Sequence, residues 1–208
     1  MNIFFMGTPE FAVPTLDILN KKYNVIVIFT QPPRPSGRGM KEIKSSIQQY
    51  SEKNKLNFYT PNNLKNDETL RLLKSLNPDL IVVVAYGLLI PEVILKIPSY
   101  GCINGHASLL PKWRGAAPIQ RAIEAGDIKT GCTSMLMEKG LDTGPMIHKK
   151  EILIKMENDA IDLFKSLSLL TAECLHETIQ KLISGDSKQI PQNNLEASYA
   201  HKLTKEEG

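Results

Sequence analysis

Apolar runs of strand length alternate with stretches of helical periodicity from the first residues of the chain onward. Asn2 to Met6 reads as a strand, Gly7-Thr8-Pro9 as a turn, and the stretch reaching Asn20 as a helix with Phe11, Leu16 and Leu19 on its apolar side. Val25 to Phe29 is a second strand, rich in β-branched residues. Ile43 to Lys55 reads as a polar helix, and Asn57 to Tyr59 as a short third strand. Asp67 to Leu76 is helical in period, and Asn77-Pro78-Asp79 breaks it just before Leu80 to Ala85. That continuous apolar run is expected of a strand covered on both faces. Further along, Ile90 to Ile97 reads as a short helix with Pro91 near its first turn, and Gly101 to Gly105 as a short strand. Pro118 to Ala125 is then helical, Gly131 to Met137 and Met146 to Ile154 are strands, and Asp159 to Ile183 is a long helix. In the long helix Leu163, Leu167, Leu170, Cys174 and Leu182 lie close to one stripe, which predicts packing on a sheet. Such alternation predicts an α/β fold, a mostly parallel sheet flanked by helices. One main domain is expected over residues 1–184, and a polar segment over 185–208 that extends along the surface.

Composition narrows the class without naming a chemistry. The chain has 208 residues, 42% hydrophobic and 23% charged, enough to bury one sizeable core. No run approaches the roughly 18 to 20 apolar residues that span a bilayer, and the start MNIFFMG lacks the features of a signal peptide, so a cytoplasmic protein is expected. Cys102, Cys132 and Cys174 are scattered, with no metal-ligand spacing, and read as reduced thiols in the core. The net charge of +3 is too small to indicate nucleic-acid binding by itself. Clustering says more: Arg34, Arg38, Lys41 and Lys44 face only Glu42 in a Pro- and Gly-rich stretch, which predicts a mobile basic loop able to meet phosphate.

Chemistry is expected just after the strand ending at Gly105, because ligands of open α/β sheets bind beyond the carboxyl ends of the strands. The segment runs Asn104-Gly105-His106-Ala107-Ser108-Leu109-Leu110-Pro111-Lys112-Trp113-Arg114-Gly115-Ala116-Ala117-Pro118, with Gly140-Leu141-Asp142-Thr143-Gly144 downstream. Asn104 and His106, at i and i+2 of an extended chain, point the same way and can converge on one substrate atom. Asp142, in a Gly-bounded turn, can bring a carboxylate to the imidazole. An amide hydrogen and an imidazole stabilise an oxyanion while a carboxylate orients the ring, which suits acyl transfer to an amine. Blander readings stand beside this one. A histidine after a strand is more often a hydrogen-bonded structural residue, and an aspartate in a turn is usually a turn-former. No metal is expected, Ser108 lacks a GxSxG elbow, and Gly7 alone is no dinucleotide signature. His148, His176 and His201 receive no role.

The run Asn-x-His-x-Ser-Leu-Leu-Pro-x-Trp-Arg-Gly-Ala-Ala-Pro followed by Asp-Thr-Gly resembles the signature of folate-dependent formyltransferases. Met6-Gly7-Thr8-Pro9-Glu10-Phe11, the loop from Gln31 to Gly39, and Ala85-Tyr86-Gly87 with Leu88 to Pro91 narrow the resemblance to the methionyl-tRNA branch. It covers the chain from end to end. The resemblance implies a Rossmann-like formyltransferase domain over residues 1–184 that moves the formyl group of 10-formyltetrahydrofolate onto the amino group of initiator methionyl-tRNA, working as a monomer without a metal. Position by position it implies Asn104, His106 and Asp142 as catalytic residues. Folate is expected at Ser108, Leu109, Leu110 and Pro111 and at Tyr86, Gly87, Leu88 and Leu89. The tRNA acceptor stem is expected at Arg34, Arg38, Lys41 and Lys44, with Arg38 foremost.

Three departures from that pattern matter. Gly105 stands where the family usually has a branched apolar residue such as Ile, which is expected to loosen the strand end and the aim of Asn104 and His106. Met40 to Ser46 lacks a proline common in the family. The family's C-terminal β-barrel domain is expected to be missing from this chain, so an intact folate site with weakened tRNA binding is expected. Other readings are a formyltransferase for a different amine, such as an amino sugar nucleotide or glycinamide ribonucleotide, and a truncated folate-binding relative without catalysis. A plain nucleotide-binding Rossmann domain leaves the run from Asn104 to Pro118 unexplained.

Overall fold

The computed structural model describes residues 1–36, 41–155, 157 and 159–207. The chain divides into two compact units, the first ending at Asn104 and the second beginning at Gly105. In the first unit the order is β1 (Asn2–Gly7), α1 (Val13–Lys22), β2 (Asn24–Phe29), β3 (Arg34–Ser36), β4 (Lys41–Ile43), α2 (Ser46–Lys53), β5 (Phe58–Tyr59), α3 (Asp67–Leu76), β6 (Leu80–Val84) and α4 (Glu92–Leu95). Strand β7 (Cys102–His106) starts in this unit and crosses its boundary. The strands lie in the order β7, β6, β1, β2, β5, and each neighbouring pair is parallel.

Every residue of β6 is buried, as expected for a central parallel strand. Phe4, Phe5 and Met6 of β1, Leu16 and Leu19 of α1, and Ile28 and Phe29 of β2 are buried with it, each burial contributing about 1.5 to 3 kcal/mol. Register places Gly7 beside Val84, Met6 beside Phe29 and Val83 beside Asn104, so the carboxyl ends of β1, β2, β6 and β7 share one edge. That edge is where an open α/β sheet presents its ligand-binding loops.

Two boundaries differ from the sequence expectation for local reasons. The helix expected from Ile43 begins at Ser46 because the Ser45 side chain accepts from the Gln48 N–H and caps it. The basic stretch expected as a mobile loop instead contains a ribbon in which β3 and β4 pair antiparallel, Arg34 opposite Ile43 and Pro35 opposite Glu42. A proline fits such a two-stranded ribbon because only every second residue donates to the partner strand.

The second unit contains β8 (Arg114–Gly115), α5 (Pro118–Glu124), β9 (Lys129–Leu136), β10 (Met146–Leu153), α6 (Ala160–Ser184) and β11 (Tyr199–Ala200). Strands β9 and β10 pair antiparallel, and α6 packs on both. Its buried face carries Leu163, Leu167, Cys174 and Leu182 of the stripe read from the sequence, with Leu170 at its margin, and adds Leu175 and Ile179. A capping box between Asp159 and Asp162 starts this helix, and Gly185 in the left-handed conformation ends it. All three cysteines are free and buried, and burial pushes the Cys102 thiol up to about 12. Among the described residues no helix is long and apolar enough to cross a membrane.

Candidate active site

Strand β7 ends on His106, which is 6% exposed. Its Nε2 lies 2.7 Å from the carbonyl oxygen of Trp113. A carbonyl only accepts, so Nε2 carries the proton and donates it, which fixes the tautomer of the neutral ring. The other ring nitrogen, Nδ1, lies 3.6 Å from Oδ2 of Asp142. That is longer than a hydrogen bond and leaves Nδ1 as the nitrogen turned toward the carboxylate side. Asp142 Oδ2 in turn accepts the Gly115 N–H at 2.8 Å. Both side chains are nearly shielded from water, at 7% and 14% exposure, which strengthens any charge interaction they make.

The backbone bends sharply to achieve this. Trp113, Gly115 and Asp142 have φ of 63°, 113° and 51°. At Gly115 the left-handed backbone coincides with a close approach, since a Cβ there would stand 2.9 Å from the Ala200 carbonyl oxygen. A single loop, residues 113–115, thus supplies a carbonyl to the imidazole and an N–H to the carboxylate. Asn104 stands two residues before His106 on the same strand, half-buried and opposite Val83.

The stretch Ser108 to Pro111 is built into the second unit by its polar atoms. Ser108 Oγ donates to the Lys112 carbonyl at 2.6 Å, and Thr133 Oγ1 donates to the Ser108 carbonyl while accepting the Leu110 N–H. Lys149 Nζ donates to the Leu110 carbonyl, and burial lowers its pKa from the usual lysine value. Leu110 is fully buried with Met135 and Met146, and the Leu110–Pro111 peptide is cis. Leu109 faces a cavity of about 670 Å³ together with Lys112, Trp113, Asp127 and Ile128. In the first unit, Tyr86 is buried and its carbonyl accepts from Thr8 Oγ1 and Gln31 Nε2, both at 2.7 Å. Gly87 and Leu89 are exposed and Leu88 is half-buried, so Tyr86 anchors the loop while the next three residues present themselves at the strand edge.

Sequence reasoning missed the segment 190–200. Ile190 exchanges backbone hydrogen bonds of 2.8 Å with Met146, Gln192 bonds the Asp142 turn and Arg114, and Ser198 receives the N–H groups of Trp113 and Arg114. Strand β11 then pairs with β8 in parallel. These ties use backbone groups and polar side chains, which leave no apolar period in the sequence.

Residues 1–179 match the family described as formyl transferase. The methionyl-tRNA formyltransferase of Caldanaerobacter subterraneus subsp. tengcongensis is 50% identical, with 100% of this chain and 68% of that protein covered. That of Marinobacter nauticus is 46% identical, with 100% and 67% covered. The chain belongs to the methionyl-tRNA formyltransferase family. It spans about two thirds of the length of these curated relatives. The N-formyltransferase of Helicobacter canadensis, solved in complex with folinic acid and dTDP-3-aminofucose, matches with a TM-score of 0.74. At 19% identity, with 99% of this chain and 71% of that one covered, it shows the shared formyltransferase fold.

Within this family the glycine at position 105 has a packing explanation. A Cβ there would stand 2.6 Å from Thr171 Cγ2 and 2.8 Å from Leu175 Cδ1, both on α6. The helix therefore fills the space that a branched side chain on the strand would take. Gly105→Ala is expected to destabilise the chain by about 1 to 2 kcal/mol through overpacking, with part recovered in Gly105→Ala/Thr171→Ser, as read from thermal melts. A melting temperature unchanged by the alanine would show that α6 yields freely.

The four basic positions do not share one fate. Arg34 is exposed on β3, whereas Lys44 is paired with Glu52 at 2.8 Å, an exposed ion pair that a phosphate would have to compete with. Lys41 lies on β4, and Arg38 falls outside the described residues.

Proposed function

We propose that this chain transfers the formyl group of 10-formyltetrahydrofolate to the amino group of methionine on initiator tRNA, with His106, Asp142 and Asn104 as its catalytic residues. The observation that carries the proposal is the imidazole of His106, tied through Nε2 to a backbone carbonyl while Nδ1 faces a carboxylate that a backbone N–H holds in place. The Gly87-Leu88-Leu89 loop, exposed at Gly87 and Leu89, offers backbone groups and apolar surface suited to the edge of a pterin ring. The folate supplies a formyl group already attached to nitrogen.

In this reading the neutral amine attacks the formyl carbon, and protonated His106 donates from Nδ1 to the oxyanion that forms. Asn104 donates its amide hydrogen to the same oxygen. The Nε2–H bond to Trp113 keeps the ring aimed throughout. Asp142 balances the imidazolium and takes up the proton that the amine loses. When the bond between formyl carbon and folate nitrogen breaks, that nitrogen regains a proton, so one formyl group and one proton exchange places. Arg34, Arg38, Lys41 and Lys44 would guide the acceptor stem by phosphate contact, a role that positions without reading bases.

An acceptor panel tests the proposal: labelled formyl donor is offered with methionyl initiator tRNA, an amino sugar nucleotide or glycinamide ribonucleotide. Transfer to the tRNA at a rate at least about tenfold above the other two is expected, a margin of about 1.4 kcal/mol in the barrier. Preference for either small amine would overturn the acceptor while leaving the formyl chemistry in place. No transfer to any of the three would overturn the proposal as a whole.

A further inference from the structure

Asp142 adopts a left-handed backbone, φ 51°, uncommon outside glycine though tolerated by aspartate, and its neighbours hold it there. One side chain holds the turn from two points. The Gln192 amide nitrogen donates to the carbonyls of Asp142 and Gly144, both at 2.8 Å, so its two N–H groups grip the same turn on either side of Thr143. Its Oε1 accepts from Arg114 Nε at 3.0 Å. Arg114 is 2% exposed, donates through Nη2 to Asn194 Oδ1 at 3.0 Å, and immediately precedes Gly115, whose N–H holds the Asp142 carboxylate. One carboxamide therefore braces both the main chain of Asp142 and the residue next to the donor on its side chain. The reciprocal bonds between Ile190 and Met146 fix the segment from which Gln192 reaches.

Granting Asp142 the catalytic role proposed above, we infer that Gln192 is a positioning residue that sets the carboxylate of Asp142 against His106. It touches no reacting atom and acts through the turn. Asparagine is too short for this span, and glutamate keeps the shape and the bond from Arg114 but has no N–H to give the two carbonyls.

Steady-state formyl transfer by the chain, Gln192→Glu, Gln192→Ala, Asp142→Asn and the double variant Gln192→Glu/Asp142→Asn tests the inference. Gln192→Glu is expected to lose about 10- to 100-fold in kcat with KM for methionyl-tRNA within about twofold, as for a misplaced catalytic group. The double variant is expected to be no slower than Asp142→Asn, because a residue that acts through Asp142 has nothing left to position. Losses that multiply in the double variant would overturn the inference, as would kcat of Gln192→Glu within about twofold of the parent. Should Gln192→Ala fail to fold, the near-isosteric glutamate decides alone. Parental activity in Asp142→Asn would overturn the catalytic reading of Asp142 and the inference with it, a result distinguishable from either outcome at Gln192.

Discussion

His106→Ala is expected to transfer formyl about 1,000-fold more slowly than the parent, and Asp142→Asn about 100-fold more slowly, with both folding normally. Alanine removes the ring that joins the Trp113 carbonyl to the Asp142 side, and with it the proposed donor for the oxyanion. Asparagine is the gentler change. Its carbonyl oxygen still accepts the Gly115 N–H, so the loop stays closed, while the negative charge 3.6 Å from Nδ1 disappears. The difference between the two variants therefore separates the ring from the charge that supports it. Initial rates with labelled donor measure both, and melting temperatures within about 2 °C of the parent, under 1 kcal/mol for a chain of this size, would show that the fold is intact. A His106→Ala variant retaining a tenth of parental activity would remove the imidazole from the chemistry.

How far the sequence could be read depended on which forces each element uses. Leu80 to Val84 was legible because a central parallel strand needs apolar side chains on both faces, and α6 because its buried stripe repeats with the helical period. Asn104 and His106 were legible as polar residues at the end of a strand, and Asp142 as one in a glycine-bounded turn. Their partners were not. The carbonyl of Trp113 and the N–H of Gly115 are backbone groups that every residue type carries, and only the left-handed bends of that loop bring them to the site. The clamp from Gln192 escaped notice for a related reason, since a single carboxamide in a polar stretch has no period to reveal it. At Gly105 the sequence pointed to a loosened strand end, yet Thr171 and Leu175 occupy the space a side chain would take. Compensation of that kind depends on residues 66 and 70 positions away and cannot be seen locally.

The second large effect is expected at Gly144. A Cβ on this residue would fall inside van der Waals contact of the Leu136 carbonyl oxygen, a backbone atom with no rotamer to escape into. Leu136 also donates its N–H to the Pro145 carbonyl at 2.9 Å, so the end of β9 and the start of β10 are locked together at the point where an added methyl must enter. Gly144→Ala can be accommodated only by prising this turn apart, which loosens the bond from Gln192 to the Gly144 carbonyl and moves Asp142 two residues away. A cost of about 3 kcal/mol is expected, with a fall of roughly 10 °C in melting temperature and about 100-fold in transfer. Gly185→Ala provides the contrast. Its φ is 79° and a Cβ there meets nothing within 4 Å, so only backbone strain of about 1 kcal/mol is expected, with transfer unchanged. If Gly144→Ala melts and turns over like Gly185→Ala, the tight approach to Leu136 has no bearing on where Asp142 sits. If it loses stability and rate together, the closed turn between β9 and β10 is what delivers the carboxylate to the imidazole.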